Sequence, residues 1–269
     1  HPVDTFMREN RAAETIIEEI IGILEKLCDS AEKEVFGQYR GDLLGLVGSL
    51  SDINLHFLRK ENQLFPILEE REISGPSEVM WALHDDIRQI IRYAREQIEG
   101  LQVPVVYATL KYMLRSISDM IYKEEHILFP MALEELTDDD WAQVMKGEDE
   151  IGYAWISPAK GWEPRKEPAG MSAGEPEGTE AAMNLETGHL TPEQVNLILK
   201  SLPVDLTFVD EKDEVAYYSQ TRERIFPRSP GVIGRKVQKC HPPRSSHIVQ
   251  KIVDEFRAGT KDTADFWIQ

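Results

Sequence analysis

The stretch HFLRKENQLFPILEE, residues 56–70, contains the pattern that decides the fold. Its apolar residues recur at helical spacing, yet Glu61 falls inside the apolar stripe when the residues are projected at ~100° each. His56 and Lys60 fall at the edges of the stripe, and Pro66 interrupts the pattern. The stretch therefore predicts a helix that aims a carboxylate at its own core, where that group needs a partner.

The first 156 residues show this amphipathic pattern four times. Predicted helices cover residues 3–28, 41–70, 77–101 and 104–135, and the breaks between them contain glycine, proline or serine. Four long amphipathic helices with short connections favour an all-α, up-down four-helix bundle over residues 1–156. A short acidic helix is expected at the end of the bundle, with Thr137 as its N-cap.

The rest of the chain divides into a predicted linker and a second domain. Residues 157–184 are rich in Pro, Gly and Glu and lack periodicity, which is typical of a linker. Residues 185–269 predict a helix capped by Thr191, a β-hairpin within 204–220 and an amphipathic helix that ends at Gly259. This order indicates a small α+β domain. Because residues 264–269 read as the start of a further strand, we expect the domain to be incomplete.

Composition and charge argue against several classes of partner. The chain of 269 residues has a formal net charge of −18. Nucleic acids and anionic membranes attract clustered Lys and Arg, so neither is an expected partner. The sequence has no run of 18 apolar residues and no signal peptide. Its two cysteines, Cys28 and Cys240, lie far apart, which favours a reducing cytoplasm.

Polar side chains face the predicted interior on every helix of the bundle. They are Glu9, Asn10, Glu61, Glu124 and Glu125, with His56 at the edge of the stripe on the second helix and His84 just past the edge on the third. A buried unpaired carboxylate is costly, so a partner common to all four helices is favoured. A metal ion is one such partner, because carboxylate and imidazole ligands suit iron, manganese or zinc. The alternative is a set of buried ion pairs, such as Glu61 with Arg88 or Lys60.

Two of the predicted helices share a motif. HFLRKENQLFP (56–66) and MIYKEEHILFP (120–130) resemble the repeated His…Glu…Leu-Phe-Pro element of the hemerythrin-like, HHE cation-binding family. HPVDTFMRENRAAETI (1–16) is similar to the first helix of that family, and HDDIRQI (84–90) to the third. The resemblance implies a four-helix bundle that holds iron, mononuclear or di-iron, between His, Glu and Asp ligands. Zinc or manganese are the alternative metals.

Seven positions are candidate metal ligands. They are His1, Glu9, His56, Glu61, His84, Glu125 and His126. His1 is included because it precedes the first helix and can fold over the open end of the bundle. His126 needs a kink at Pro130 to turn inward. The sequence departs from the family at four ligand positions, which are occupied by Asn10, Lys60, Arg88 and Met120.

The C-terminal part of the chain resembles a PAS domain. The resemblance rests on TGHLTPEQVNLILKSLPVDLTFVDEKDEVAYYSQ (187–220), VIGRKVQKCHPPRSSHIVQKIVDEF (232–256) and ADFWIQ (264–269). It implies a domain that senses small molecules or redox state, or that mediates dimerisation. Within it, CHPP (240–243) is a candidate haem ligand through Cys240 or His241, and a turn with two prolines is the alternative.

Together these features predict a cytoplasmic metal-binding sensor or regulatory protein. Its expected signals are oxygen, nitric oxide or redox state, and its expected assembly is a homodimer through the PAS domain. A metal-dependent oxidase or peroxidase is one alternative, and a metal-free dimerisation scaffold is another. The sequence shows no nucleophile motif and no phosphate-binding loop, so no catalytic residue is assigned.

Overall fold

The N-terminal part of the chain is a bundle of helices. The computed structural model describes residues 1–28, 33–101, 103–158, 162–163, 183–220, 230–241 and 243–265. The long helices are α1 Pro2–Cys28, α2 Lys33–Leu50, α5 Gly75–Glu99 and α6 Val103–Lys123. Shorter helices are α3 Ile53–Arg59, α4 Phe65–Glu70, α7 Phe129–Glu135, α8 Asp138–Met145 and α9 Glu148–Ile151. The predicted all-α bundle is confirmed.

Each long helix buries one apolar stripe in a common core. Phe6, Leu43, Ile98 and Leu110, from α1, α2, α5 and α6, are each fully buried. Helix α1 packs against α2 and α6, and α5 also packs against α2 and α6, so the four helices close a ring around the core. Burial of the stripes removes apolar surface from water and is the main stabilising contribution to the bundle.

Two π-helical turns interrupt the helices at the repeated Leu-Phe-Pro motif. The first π turn, Lys60–Leu64, joins α3 to α4, and the second, Glu124–Leu128, joins α6 to α7. Phe65 N–H donates to the carbonyl of Lys60, and Phe129 N–H donates to that of Glu124, five residues earlier in both cases. Each π turn inserts an extra residue into the helix, and such turns are frequent at functional sites.

The second predicted helix differs from the structure at its start. It was expected over residues 41–70, but α2 begins at Lys33 and a turn at Ser51 and Asp52 separates α2 from α3. Ser51 is one of the small residues that compete with the helical backbone by hydrogen bonding to it, and its hydroxyl donates to the carbonyl of Gly48 at 2.5 Å.

The segment after the bundle folds back over one end of it. The capping box predicted at Thr137 is present, with Asp140 as its reciprocal partner. Gly147 and Gly152 flank α9 with φ of 95° and 92°, in the left-handed region that favours glycine. Beyond α9, Trp155 Nε1 donates to the carbonyl of Ser49 at 2.8 Å. The backbone N–H of Ala154 donates to Glu9 Oε1 at 2.7 Å, which places this segment beside the N-terminal half of α1.

The C-terminal part is a small α+β arrangement, as predicted. Its helices are α10 Pro192–Ser201 and α11 Pro243–Arg257, and the predicted cap of α10 at Thr191 is present as a capping box with Gln194. The predicted hairpin is formed by β3 Thr207–Val209 and β4 Val215–Tyr218. A second antiparallel pair, β1 Met183–Leu185 with β2 Gly188–Leu190, was not predicted.

Some sequence predictions fall outside the described residues. Most of the predicted linker, 157–184, lies there, as does most of the predicted strand at 264–269. The domain boundaries at 156 and 184 therefore stay predictions. Among the residues that the structure describes, no helix combines the length and the apolarity that crossing a membrane requires.

Candidate functional site

A continuous network of ionisable side chains crosses the interior of the bundle. We call it the polar core, and its members are Glu9, His56, Arg59, Lys60, Glu61, His84, Arg88, Glu124 and Glu148. All but Arg88 are buried, with at most 3% of their surface exposed. Helices α1, α3, α5 and α9 and both π turns contribute to it. Nine such groups in one apolar bundle must neutralise one another, because buried charges are stable only when paired.

Arg59 holds one end of the polar core. Its guanidinium forms an ion pair with Glu9 and lies 3.4 Å from Glu148 Oε1. It is also flanked by the rings of Phe6 and Tyr153, each with its centroid 4.6 Å from the guanidinium carbon. The planar guanidinium suits this position, because it combines ion pairing with stacking on aromatic faces.

His56 bridges two carboxyl groups. Its Nδ1 lies 2.8 Å from Glu9 Oε2, and its Nε2 lies 3.0 Å from Glu124 Oε2. Burial, together with the nearby Lys60 and Arg59, lowers the pKa of His56 well below its ordinary value. A neutral imidazole donates from one nitrogen only. One of the two contacts therefore needs a proton on the carboxyl group, and burial raises the pKa of Glu9 to about 7 despite the adjacent Arg59.

Lys60 lies at the centre of the polar core. Its amine nitrogen pairs with Glu124 Oε1 and lies 3.0 Å from His84 Nε2. Burial lowers the pKa of Lys60 well below its ordinary value, and the carboxylates of Glu61 and Glu9 oppose that effect. Since lysine has no acceptor when protonated, His84 Nε2 must accept the hydrogen bond.

The far end of the polar core is a carboxylate between an imidazole and a guanidinium. Glu61 Oε1 accepts from His84 Nδ1 at 2.8 Å, and both carboxylate oxygens of Glu61 accept from Arg88 NH2, at 3.0 and 2.8 Å. Arg88 also donates to Asn54 and Asp85. The ion pair of Glu61 with Arg88, one of the alternatives read from the sequence, is thus present in the structure.

The polar core contains more acids than cations. It has four acids, Glu9, Glu61, Glu124 and Glu148, but only three basic side chains, those of Arg59, Lys60 and Arg88. One guanidinium, Arg59, serves both Glu9 and Glu148. Burial also raises the pKa of Glu148 to about 7, and Arg59 only partly offsets this rise. The arrangement can hold and move protons along a hydrogen-bonded chain near neutral pH.

Four of the seven candidate metal ligands lie together in the polar core, and three do not. Glu9, His56, Glu61 and His84 are buried members of the network. The other three are Glu125, His126 and His1. Glu125 pairs with Arg11 and accepts from Asn10 at 3.1 Å. The exposed His126 contacts the carbonyl of Tyr122 at 3.0 Å, and His1 packs on Trp141 and Trp162.

Of the two neighbouring acids on the fourth predicted helix, Glu124 joins the polar core and Glu125 does not. Glu124 continues the buried stripe of α6, four residues after the buried Met120. Glu124 is fully buried, while Glu125 keeps 13% of its side chain exposed. Pro130 does not turn His126 inward, since His126 is exposed.

Sequence reasoning missed two members of the polar core. Arg59 was not considered, because an arginine next to an apolar stripe ordinarily reaches water. Glu148 lies in a short acidic segment that reads as a solvated helix start. The adjacent basic pair Arg59 and Lys60, directly before the inward Glu61, is a signal in the motif from which internal neutralisation could have been predicted.

The donors of the polar core do not form a metal site in this arrangement. Over the part of the chain that the structure describes, no group of three or more His, Cys, Asp or Glu side chains is placed to hold a metal ion. Carboxylate and imidazole groups of the right chemical type are present, but Lys60, Arg59 and Arg88 occupy the positions facing them. The residues as placed therefore do not fit a bound ion.

An arginine from the C-terminal part, Arg235, reaches the first π turn. Arg235 is 6% exposed, and its NH1 donates to the backbone carbonyl of Glu61 at 2.9 Å. The same guanidinium donates from Nε and NH2 to Glu69, at 3.1 Å each, and lies over the ring of Trp81.

The carbonyl of Glu61 is free to accept this bond because of the local sequence. Phe65 N–H bonds to Lys60 rather than to Glu61. In the same π register the next donor would be residue 66, and Pro66 has no N–H. Arg235 supplies the missing donor, so the second domain is hydrogen-bonded to the backbone of the polar core.

Comparison with known proteins agrees with the architecture. The family model described as a hemerythrin HHE cation binding domain matches residues 1–132, and the model of a PAS domain matches residues 195–269. An iron-sulfur cluster repair protein, YtfE, from Musicola paradisiaca (strain Ech703) is 28% identical over 95 residues, which is 31% of this chain. The chain spans 43% of the length of that relative.

One solved structure also shares sequence with the chain. It is a crystal structure of a C-terminal domain from Streptococcus mutans that is 36% identical and covers 34% of this chain and 69% of its own. Its TM-score of 0.31 is too low to support a statement about the fold. The two family matches, the helical bundle and the small antiparallel hairpin lead to one conclusion: the chain joins a hemerythrin HHE cation-binding domain to a PAS domain.

Proposed function

We propose that this protein is a sensor or regulatory protein in which the bundle and the PAS domain respond together. The observation that carries the proposal is the contact of Arg235 with the carbonyl of Glu61 and the carboxylate of Glu69. A guanidinium buried in that contact cannot move without changing the first π turn. A signal received in either domain therefore has a direct physical route into the other.

The comparisons support a role linked to metal chemistry. The bundle matches a cation-binding family, and a relative is an iron-sulfur cluster repair protein, so sensing or repair are the favoured roles. The polar core as described does not supply a metal site, and the proposal rests on domain coupling rather than on a bound ion. Oxygen, nitric oxide or redox state are the signals that we propose.

The test exposes the purified full chain to each proposed signal and follows amide hydrogen exchange. The chain is reduced with dithionite, then treated with air or a nitric oxide donor, and exchange is compared at residues 60–69 and 230–241. In the wild type, we expect the two segments to change together. In Arg235→Ala, the change should be confined to one domain, because the connecting hydrogen bonds are absent.

A matched control separates coupling from a general loss of surface ion pairs. Arg244 pairs with Asp86 between the same two parts of the chain, but both side chains are exposed by more than half. Arg244→Ala should therefore behave as the wild type. Unchanged exchange in both segments under all treatments would refute the sensor and favour the metal-free scaffold.

We also propose the small-molecule partner, the assembly and the cellular location of the protein. The small-molecule partner is oxygen or nitric oxide, and the assembly is a homodimer through the PAS domain, which sedimentation of the full chain tests directly. A cytoplasmic location is the third proposal, and the wide separation of the two cysteines along the sequence favours it.

A further inference from the structure

We propose that the side-chain nitrogen of Lys60 fills the cation position of the bundle, so that the chain's own lysine takes the place of a metal ion. The proposal goes beyond the sensor function and does not depend on it. It rests on the geometry around Lys60, on the orientation of the side chains that face it, and on the charge of the polar core.

Two side chains of the kind that bind metals converge on one atom. The nitrogen of Lys60 contacts Glu124 Oε1 and lies 3.0 Å from His84 Nε2. The second oxygen of Glu124 is held by His56 Nε2 at 3.0 Å. Carboxylate oxygen and imidazole nitrogen are ordinary ligands of iron, manganese and zinc. Here both point at a lysine.

The imidazole of His84 is oriented as a cation acceptor. Its Nδ1 lies 2.8 Å from Glu61 Oε1, so Nδ1 carries the proton and Nε2 presents its lone pair to Lys60. A carboxylate behind a histidine fixes metal-binding imidazoles in the same way. The ring is also stacked on Phe57, with centroids 4.1 Å apart and planes at 7°, which fixes its position.

The charges around Lys60 leave no place for a divalent cation between Glu124 and His84. The Lys60–Glu124 pair is neutral whether the proton is on the nitrogen or on the carboxyl group. Arg88 neutralises Glu61, and Arg59 faces Glu9 and Glu148. A divalent ion between Glu124 and His84 would displace the Lys60 nitrogen and leave a second positive charge in a buried site, which is strongly unfavourable.

The experiment compares metal binding by the wild type with that of Lys60→Glu, which replaces the cation by a carboxylate. Both full-length chains are loaded anaerobically with Fe²⁺ and, separately, with Mn²⁺, passed through a desalting column and analysed for metal per chain. The melting temperature is measured with and without Mn²⁺. Lys111→Glu, on the exposed face of α6, is the control for added negative charge.

We expect the wild type and Lys111→Glu to retain no stoichiometric metal and to melt at the same temperature with and without Mn²⁺. Lys60→Glu should retain metal stoichiometrically and melt at a higher temperature when Mn²⁺ is present. A wild type that retains one or two ions per chain would overturn the proposal. So would a folded Lys60→Glu chain that retains none.

A second measurement keeps the proposal testable if Lys60→Glu does not fold. Wild-type chain labelled with ¹³C-histidine is titrated with paramagnetic Mn²⁺, and the ring signals of the buried His56 and His84 are followed. Sharp signals are expected, because Lys60 keeps the ion away from both rings. Selective broadening of these two signals would place the metal beside them and overturn the proposal.

Discussion

Replacing Glu148 by glutamine should stabilise the protein, and more so at higher pH. Arg59 lies between Glu9 and Glu148, so one guanidinium faces two buried carboxyl groups. When both acids are ionised, one negative charge in this end of the polar core has no counter-charge. Burial raises the pKa of Glu148 from its ordinary 4.5 to about 7. The folded state thus binds the proton more tightly than the unfolded state does.

The sign and size of the effect follow from that difference. A folded-state pKa above the unfolded value means that the stability contributed by this proton is lost as the pH rises from 4.5 through about 7. Between about pH 5.5 and about pH 8 the loss from this group is about 2 kcal/mol. Glutamine has no proton to lose. The stability advantage of Glu148→Gln over the wild type should therefore widen by about 2 kcal/mol over the same range.

The assay is urea unfolding followed by the helical circular dichroism signal at both pH values. Glu135→Gln serves as the control, since Glu135 is exposed on α7 and its substitution should leave the pH dependence unchanged. A gap between Glu148→Gln and the wild type that stays constant or narrows toward pH 8 would refute the reasoning. In that case Arg59 or water would be neutralising both acids.

Two further substitutions test the polar core and the helix cap. Arg59→Met should destabilise the fold by about 3–5 kcal/mol at pH 8, because it leaves Glu9 and Glu148 without their cation. The loss of stability should be smaller at pH 5.5, where both acids can take up protons. Urea unfolding at the two pH values checks this, and an equal loss at both would contradict it. Thr137→Ala should lower the free energy of unfolding by about 1 kcal/mol, since it removes the Thr137 hydroxyl that accepts from the backbone N–H of Asp140 in the capping box. A lowered melting temperature is the expected result. An unchanged melting temperature would show that α8 contributes little to the stability of the bundle.

The fold could be read from the sequence because it depends on local periodicity. The stripes of α1, α5 and α6 repeat every three to four residues, and the caps at Thr137 and Thr191 use neighbours within three positions. The β3–β4 hairpin follows from two short alternating runs around a polar turn. Each of these signals lies within one element, so no knowledge of distant contacts was needed.

The site could be predicted only in part, because its pairings join residues far apart in the chain. The inward acids Glu9 and Glu61 were identified from their helical phase, which placed His84 just past the edge of its stripe. Arg88 was considered as a partner of Glu61. The other pairings were not predicted, since Arg59 meets Glu148 across 89 positions and Lys60 meets Glu124 across 64. Helical periodicity in the sequence predicts which side chains face the core, but it does not predict which of them are in contact.

Helical phase and motif resemblance predicted a bundle with inward-facing acids, with histidines and Lys60 near the edges of the apolar stripes, followed by a PAS-like domain. That these groups pair with one another became visible in the folded bundle. Helix packing brings Lys60 between Glu124 and His84, which lie on different helices. Electrostatic pairing in a buried site depends on distances of a few ångströms, and those distances are set by packing of the whole bundle.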